Sequence, residues 1–305
     1  MRKTSHQPRS IMTTSHHLHT LHHAPRTVTG KAPLLFVHGG YVDARCWDTH
    51  FLPHFASHGH DCYALDLPGH GNSGQRAELD TLGLTDYFAA LARAIEGFAS
   101  KPILIGHSMG ACLVERALEQ SLARAGVLMS PVPPSGTLES ATNLFLRYPQ
   151  FLGEVTNLTK GVCSASGLQI LKQVYFTPAT KDEAPLRLAR LVQPESLRAI
   201  SDMALMCWRW RPKAPALPVL VVGGELDTVF PPHMVRRVAK RWRAELRIIP
   251  AAGHAMILDE QWRACAAAIE DWLHRLEERG GAAVTRTDQS TGRAGDAGYG
   301  RGGRH

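Results

Sequence analysis

The amino-acid sequence predicts an α/β fold in which a doubly wound, mostly parallel sheet carries an inserted helical cap. Short apolar runs of strand length alternate with stretches of helical spacing over most of the 305 residues. Strands that are apolar throughout are typical of a parallel sheet covered by helices on both faces. The alternation stops at residues 132–213, where mostly helical patterning separates two predicted strands over a stretch too long for a plain connection.

The strand predictions rest on continuous apolar runs that each end within two residues of a Gly, Pro, Asp or Ser, which favour turns. These runs are Leu34–Val37, Cys62–Leu65, Ile103–Ile105, Val127–Met129, Pro218–Val222 and Leu246–Ile249. Apolar residues at helical spacing cover Trp47–His58, Leu84–Ala99, Met109–Ala123 and Glu260–Glu278. Strands and helices in this order predict parallel strands joined by helical crossovers.

The chain divides into a core, a cap and two tails. The core is predicted over 31–131 and 214–278, and the cap over 132–213, where it would cover the carboxyl ends of the strands at which open α/β sheets bind ligands. Residues 1–30 are His-rich and lack periodicity, which predicts a disordered leader without a secretory signal. Residues 279–305 are rich in Gly and Arg, which predicts a disordered tail.

The formal net charge of +7 belongs to these tails. Residues 1–31 contain five Lys or Arg and no acid, and residues 279–305 contain five Arg and two Asp, so the body between them is nearly neutral. Such tails bind polyanions only weakly and in a salt-dependent way. We therefore expect no specific nucleic-acid partner. Metal binding by the leader histidines is the alternative role for that tail.

The cysteines and the lengths of the apolar runs indicate the cellular compartment that we expect for the protein. The six cysteines are scattered without a C-x-x-C pair, which favours reduced thiols and a cytoplasmic protein. No run approaches the ~18 apolar residues that a membrane-spanning helix needs, so no transmembrane segment is expected.

The pentapeptide Gly106-His107-Ser108-Met109-Gly110 lies between a predicted strand and a predicted helix. Strand, Gly-x-Ser-x-Gly and helix in this order are typical of a nucleophile elbow, a strained turn that exposes the serine hydroxyl at the end of the sheet. The flanking glycines leave room for the tight crossing of strand and helix. Ser108 is therefore the predicted nucleophile.

A nucleophilic serine needs a histidine base and an acid that orients it, and in this architecture the acid comes next in the chain and the histidine last. Asp227 follows the strand that ends at Val222, and it is the predicted acid, with Glu225 as the second candidate. His254 follows the next strand behind Gly253, which permits a sharp turn, and is the predicted base.

The developing oxyanion needs backbone donors. One is expected at the amide of Met109, and the other in the loop after the first strand, at Gly40 or, with a shift of one residue, at Tyr41. Tyr41 and His107 are also candidates for contact with the substrate. Trp208 and Trp210 are candidates for lining an acyl pocket, and packing within the cap is the equally good alternative for both. The Met- and Leu-rich sequence around them favours an apolar acyl or aromatic substrate.

The chain resembles the α/β-hydrolase superfamily, in its capped esterase and lipase-like branch. The matching motifs are HGG at 38–40, DLPGHGNS at 66–73, GHSMG at 106–110, GGELD at 223–227 and GH at 253–254. The resemblance implies an eight-stranded, mostly parallel core with the cap inserted after the sixth strand. Because little sequence precedes Leu34 for the first two strands, we expect a shortened or incomplete edge.

The leading hypothesis is a serine hydrolase that cleaves carboxylic esters of apolar acyl groups through an acyl-enzyme, without cofactor or metal. A serine at the elbow argues against the branches of the superfamily that carry aspartate there. The alternatives are C–C hydrolysis, thioester cleavage, acyl transfer or perhydrolysis by the same residues, or a non-catalytic ligand-binding protein of this fold. A small-molecule ester is the expected partner, and the oligomeric state stays open.

Overall fold

The computed structural model describes residues 17–205 and 217–291, with side chains described up to 279. The strands are β1 Thr20–His23, β2 Leu34–Val37, β3 Cys62–Leu65, β4 Ile103–His107, β5 Ala125–Met129, β6 Val219–Gly224 and β7 Glu245–Ile249. They form a seven-stranded sheet in the order β1-β3-β2-β4-β5-β6-β7. All neighbours are parallel except β1 and β3, which confirms the predicted mostly parallel α/β fold.

The helices lie on both faces of this sheet and between β5 and β6. They are α1 Arg45–Asp48, α2 Phe51–Ser57, α3 Leu84–Glu96, α4 Met109–Glu119, α5 Leu138–Arg147, α6 Phe151–Thr159, α7 Ala165–Tyr175, α8 Glu183–Leu191, α9 Leu197–Ala204, α10 Pro232–Trp242 and α11 Trp262–Thr291. A short 3-10 helix covers Arg76–Thr81. Helices α5 to α9 make up the described part of the insertion that the sequence predicts as a cap. Within the described residues, no helix is both long enough and apolar enough to cross a membrane.

The central strands are almost entirely apolar because their side chains pack into hydrophobic clusters on both faces of the sheet. Leu34 and Phe36 of β2 belong to the hydrophobic cluster that contains residues of α1, α2 and α11. Leu35 and Val37 point to the opposite face and join the cluster that contains residues of α3, α4 and α10. Successive side chains of a strand point to opposite faces, so a sheet buried on both sides needs an apolar residue at every position.

Strand β1 lies inside the segment 1–30 that the sequence predicts to be disordered, and for residues 20–23 that prediction is wrong. Thr20 pairs with Leu65 and His23 with Cys62, so the backbone of β1 completes the edge of the sheet. Leu21 packs against the core. The His-rich composition hid this strand because its order comes from pairing with β3. The described residues thus form one strand fewer than the eight that the resemblance implies.

The last helix also differs from the prediction. Helix α11 runs to Thr291, whereas the sequence predicts a helix end at Glu278 and a disordered tail from residue 279. The segment after 278 contains no proline, and Ala and Arg favour helix, so the glycines did not end the helix where expected.

Candidate active site

Ser108 occupies a strained turn between β4 and α4. Its backbone angles are φ 54° and ψ −116°, a conformation that costs a non-glycine residue about 1–3 kcal/mol. A Cβ atom on Gly110 would collide with the carbonyl oxygens of Val37 and His38. A Cβ on Gly106 would lie 2.6 Å from the carbonyl oxygen of Gly110. The glycines at both ends of the pentapeptide are therefore required for the close crossing of strand and helix.

Three of the predicted residues meet at the carboxyl ends of the strands. Oγ of Ser108 lies 3.2 Å from Nε2 of His254. Nδ1 of His254 lies 2.9 Å from Oδ2 of Asp227. His254 and Asp227 are buried, and Ser108 is partly exposed. The arrangement can pass a proton from the serine hydroxyl to an imidazole that the carboxylate holds in one orientation.

The carboxylate of Asp227 is fixed by three further donors. The hydroxyl of Ser130 donates to Oδ2 at 2.8 Å. The main-chain amides of Val229 and Phe230 donate to Oδ1, each at 2.8 Å. Together with Nδ1 of His254, these donors occupy both oxygens, so the carboxylate cannot turn away from the imidazole. Sequence reasoning missed Ser130, although its position directly after the strand beside β6 was a usable signal.

Glu225, the second candidate for the acid, points elsewhere. Its side chain is exposed and accepts a hydrogen bond from the main-chain amide of Ala251 at 3.0 Å. This contact braces the turn after β7. The geometry therefore separates the two candidates, and Asp227 is the carboxylate beside the imidazole.

His107 is a buried support for the loop that carries His254. Its Nε2 donates to the carbonyl oxygen of His254 at 2.9 Å, and the two rings lie 5.0 Å apart. Burial lowers the pKa of His107 to about 3, and the nearby His254 acts in the same direction. A neutral His107 adds no second positive charge beside the base. It borders the cavity next to Ser108, where the sequence analysis left substrate contact open.

The loop after β2 contains Gly40 and Tyr41, the two alternatives for the second backbone donor, and the amide of Tyr41 already makes a hydrogen bond. The amide of Tyr41 donates to Oε2 of Glu195 at 3.2 Å, and Tyr41 has a positive φ of 65°. Met109, the other predicted donor, is the first residue of α4, where amides have no partner inside the helix. Gly40 precedes Tyr41 and borders the same cavity as Ser108.

A segment of the insertion, Gln193–Ser196 (the strap), holds this loop in place. The amide of Gln193 donates to the carbonyl oxygen of Tyr41 at 2.8 Å. Its side-chain amide donates to Asp43 at 2.9 Å and accepts from Arg76 at 2.9 Å. The strap, which lies between α8 and α9, thus ties the loop after β2 and the loop after β3 to the insertion.

The carboxylate of Glu195 is the buried centre of the strap. Oε1 accepts from the hydroxyl of Tyr87 at 2.7 Å and from the amide of Ser196 at 2.8 Å. Oε2 lies 3.1 Å from Nε2 of His70 and accepts from Tyr41. Sequence reasoning missed Glu195 because 154 positions separate it from Tyr41. Its partner His70 lies within the motif DLPGHGNS at 66–73, but nothing in the sequence pairs that histidine with a residue of the insertion.

The strap carboxylate is held in its charged form. Burial raises the pKa of Glu195, but the hydrogen bond and the charge of His70 outweigh burial and hold the pKa below its ordinary value. A buried pair of opposite charges is costly to create and still more costly to break, because the remaining partner is left charged and without compensation.

A cavity of about 150 Å³ opens beside Ser108. Its walls come from the loop after β2 and from apolar residues of the insertion, which include Val155, Leu171, Leu188, Ile200 and Met203. Among the described residues that line it, none is Lys, Arg, Asp or Glu. Trp208 and Trp210, the predicted pocket residues, lie outside the described residues. The described walls suit an uncharged, apolar group.

Known proteins share this sequence pattern and this fold. Residues 34–268 match the model of the alpha/beta hydrolase family. The dihydrolipoyllysine-residue acetyltransferase component of the acetoin cleaving system of Pseudomonas putida is 32% identical over 248 residues, which are 75% of this chain and 60% of that protein. The putative non-heme bromoperoxidase BpoC of Mycobacterium tuberculosis is 26% identical over 250 residues, which are 73% of this chain and 86% of that protein.

Solved structures agree on the fold. The crystal structure of BpoC from Mycobacterium tuberculosis H37Rv superposes with a TM-score of 0.64 at 23% identity, covering 88% of this chain and 99% of that one. A thermophilic esterase from Thermogutta terrifontis superposes with a TM-score of 0.61 at 18% identity, covering 85% of this chain and 94% of that one.

Proposed function

The chain belongs to the alpha/beta hydrolase family, and on that premise we propose that it is a serine hydrolase that cleaves carboxylic esters of small apolar acyl groups. The observation that carries this proposal is the line of contacts from Ser108 through His254 to Asp227, at 3.2 and 2.9 Å, beside an apolar cavity.

In the proposed mechanism, Ser108 attacks the ester carbonyl while His254 takes its proton. Asp227 keeps the imidazole in the tautomer that can accept this proton and stabilises the imidazolium that forms. The amides of Met109 and Gly40 stabilise the negative charge on the tetrahedral intermediate. His254 then protonates the leaving alcohol, and water releases the acyl group from the enzyme by the same steps.

We assign the second oxyanion donor to Gly40 and a positioning role to Glu195. Because the amide of Tyr41 is bonded to Glu195, it is engaged on the side of the insertion, and Gly40 is the remaining candidate donor of this loop beside the cavity. A lone carboxylate this close would oppose an oxyanion. The carboxylate is not alone, because Nε2 of His70 lies 3.1 Å from it and the hydroxyl of Tyr87 donates to it.

The size of the cavity bounds the acyl group. The apolar cavity beside Ser108 measures about 150 Å³, which is the volume that holds a molecule the size of benzene, roughly six non-hydrogen atoms. We therefore expect the highest kcat/KM on short-chain or single-ring acyl esters. Longer acyl chains would require helices of the insertion to move away from the loop after β2.

A second candidate uses the same acyl-enzyme with an acceptor other than water. Two relatives are called an acetyltransferase component and a bromoperoxidase, and these names favour acyl transfer to a thiol or alcohol, or to hydrogen peroxide. The partition of the acyl group between water and an added acceptor separates the two candidates. If an acceptor raises turnover several-fold at a fixed ester concentration, acyl transfer is the better description.

The proposal is tested by active-site labelling and an ester series. A fluorophosphonate probe should label the wild-type protein and the variant Ser201→Ala, whose serine is exposed on α9, but not Ser108→Ala. The hydrolysis of p-nitrophenyl esters of increasing chain length should be fastest at short chains. Equal labelling of Ser108→Ala would refute the assignment of the nucleophile, and absence of labelling in the wild type would favour a ligand-binding role.

A further inference from the structure

A cluster of metal-ligating side chains lies outside the candidate active site, where α2 faces the last helix α11. His54 is on α2, His58 follows its last residue, and Glu270 is on α11. One ligand atom from each of the three side chains lies within 4.8 Å of the others. The cluster shares no residue with the elbow, the strap or the contacts among Ser108, His254 and Asp227, and the proposed hydrolysis does not use it.

The distances in this cluster are longer than those of two histidine–carboxylate hydrogen bonds on the same side of the protein and match the separation of metal ligands. In the pairs His22–Asp61 and His23–Asp48, Nε2 of the histidine lies 2.7 Å from Oδ1 of the aspartate. In the cluster, Nε2 of His54 lies 3.3 Å from one oxygen of Glu270, and Nδ1 of His58 lies 3.2 Å from the other. Ligand atoms around a tetrahedral zinc ion, with bonds of about 2.0–2.1 Å, are about 3.3–3.4 Å apart.

A second observation concerns the ring of His54. Its Nε2 is buried and makes no hydrogen bond among the described residues. A buried nitrogen without a partner is costly, and such atoms are uncommon in native structures. It points toward Glu270, so a cation between the two side chains would satisfy both.

We propose that His54, His58 and Glu270 bind a divalent transition metal of the zinc class and thereby join α2 to α11. Two imidazoles and one carboxylate are a ligand set that zinc uses with a fourth position open to water. The side chain of His58 is 50% exposed, so its ring can turn to offer a nitrogen and the fourth position faces solvent. The spacing of His54 and His58, one helical turn apart, places both rings on the same side of α2.

The test uses the full chain after treatment with a chelator. Thermal unfolding is followed with and without zinc, and cobalt binding to the native protein is followed by visible absorption. We expect a saturable rise in Tm with zinc and the intense absorption of one four-coordinate cobalt ion per chain. The His54→Gln and Glu270→Gln variants should lose both signals, with cobalt affinity at least about tenfold weaker, since even losing a group that only orients a ligand costs about 10–100-fold.

His23→Gln is the matched control, because His23 is a partly exposed histidine on β1 whose carboxylate partner is Asp48, the last residue of α1. It should keep both signals, since it leaves His54, His58 and Glu270 unchanged. His58→Gln is the second variant if His54→Gln does not fold, since His58 is half exposed. The proposal is overturned if the wild type shows neither signal, or if His58→Gln and Glu270→Gln keep both.

Discussion

The candidate site contains one buried histidine–carboxylate pair and has a second one beside it. The two pairs differ in where their carboxylates come from and in the roles that we propose for them. In Asp227–His254 the carboxylate is bonded by groups from the loops after β5 and β6, all within the core. In Glu195–His70 the carboxylate comes from the insertion and meets the loops after β2 and β3. The first pair is placed by strand ends that the sheet already aligns. The second exists only when the insertion has docked.

The two pairs also have opposite requirements for charge. In the proposed mechanism His254 must gain and lose a proton in every cycle, with Asp227 stabilising the charged form. Glu195, whose pKa is lowered in the folded protein, stays charged, and in its proposed role it holds the amide of Tyr41 throughout the cycle. Changes in each pair should therefore produce different kinetic and thermodynamic signatures.

The largest expected effect is at Asp227. Asp227→Asn should reduce kcat by about 10⁴-fold with little change in KM, because an amide holds the imidazole in the wrong tautomer. Steady-state kinetics on a short-chain p-nitrophenyl ester measures it. Glu225→Gln is the matched control and should retain kcat within about twofold, since exposed substitutions away from the site have small effects. An equal loss in Glu225→Gln would reverse the assignment of the acid.

Glu195→Ala should have the next largest effect and a mixed signature. It leaves His70 and Tyr87 buried without their carboxylate partner, so the free energy of unfolding should fall by about 1–3 kcal/mol or more. We expect kcat to fall roughly tenfold to a hundredfold, less than the 10²–10³ expected for removing an oxyanion donor outright. Denaturant unfolding and steady-state kinetics measure the two effects.

Glu195→Gln keeps the shape of the side chain and provides the control for folding. It should recover most of the stability, and the double variant with His70→Gln should recover more, which a double-mutant cycle quantifies. If stability falls in Glu195→Ala while kcat on the same ester is unchanged, the strap does not position the oxyanion loop.

A third buried carboxylate, Glu115, sharpens the comparison because it accepts from the indole of Trp242 instead of facing an imidazole. Burial raises the pKa of Glu115 to about 8, against the effect of that hydrogen bond. From about pH 4.3, where an unfolded Glu titrates, up to pH 8, only the folded state holds this proton. Its contribution should thus lower the free energy of unfolding by about 1.4 kcal/mol per pH unit as pH rises.

Glu195 has the opposite sign. Its pKa is lowered in the folded state, so its stabilisation is present above the unfolded pKa and is lost as pH falls through the folded pKa. The free energy of unfolding should be measured from pH 4 to 9 for the wild type and for Glu115→Gln. Up to pH 8, we expect it to fall more steeply with pH in the wild type than in the variant. Parallel profiles would contradict the burial argument for Glu115.

The smallest expected effect is at Ser130. Ser130→Ala removes one of the bonds to Asp227 but leaves the amides of Val229 and Phe230 in place. A single hydrogen bond of this kind contributes about 0.5–1.5 kcal/mol. We expect kcat to fall about two- to tenfold, compared with Ser201→Ala as a control without effect. A loss as large as that of Asp227→Asn would show that Ser130 has a more direct part in the reaction.

Local signals explain why much of the site was predictable. Ser108, Asp227 and His254 each follow a strand within five residues, and parallel strands bring such positions to the same edge of the sheet. Strand β1 carried no comparable local signal. Its four residues, Thr20–His23, are ordered by pairing with β3, and the histidines around them resembled a disordered leader.

The sequence by itself determined the parallel core, the strained elbow and the order of the three residues beside it, because short turns after buried strands depend on neighbouring residues. Tertiary structure alone decided that Glu195 reaches Tyr41, that Glu225 turns aside, and that the cavity measures about 150 Å³. Burial of a residue can be read from a local pattern, whereas its partner depends on how distant segments dock.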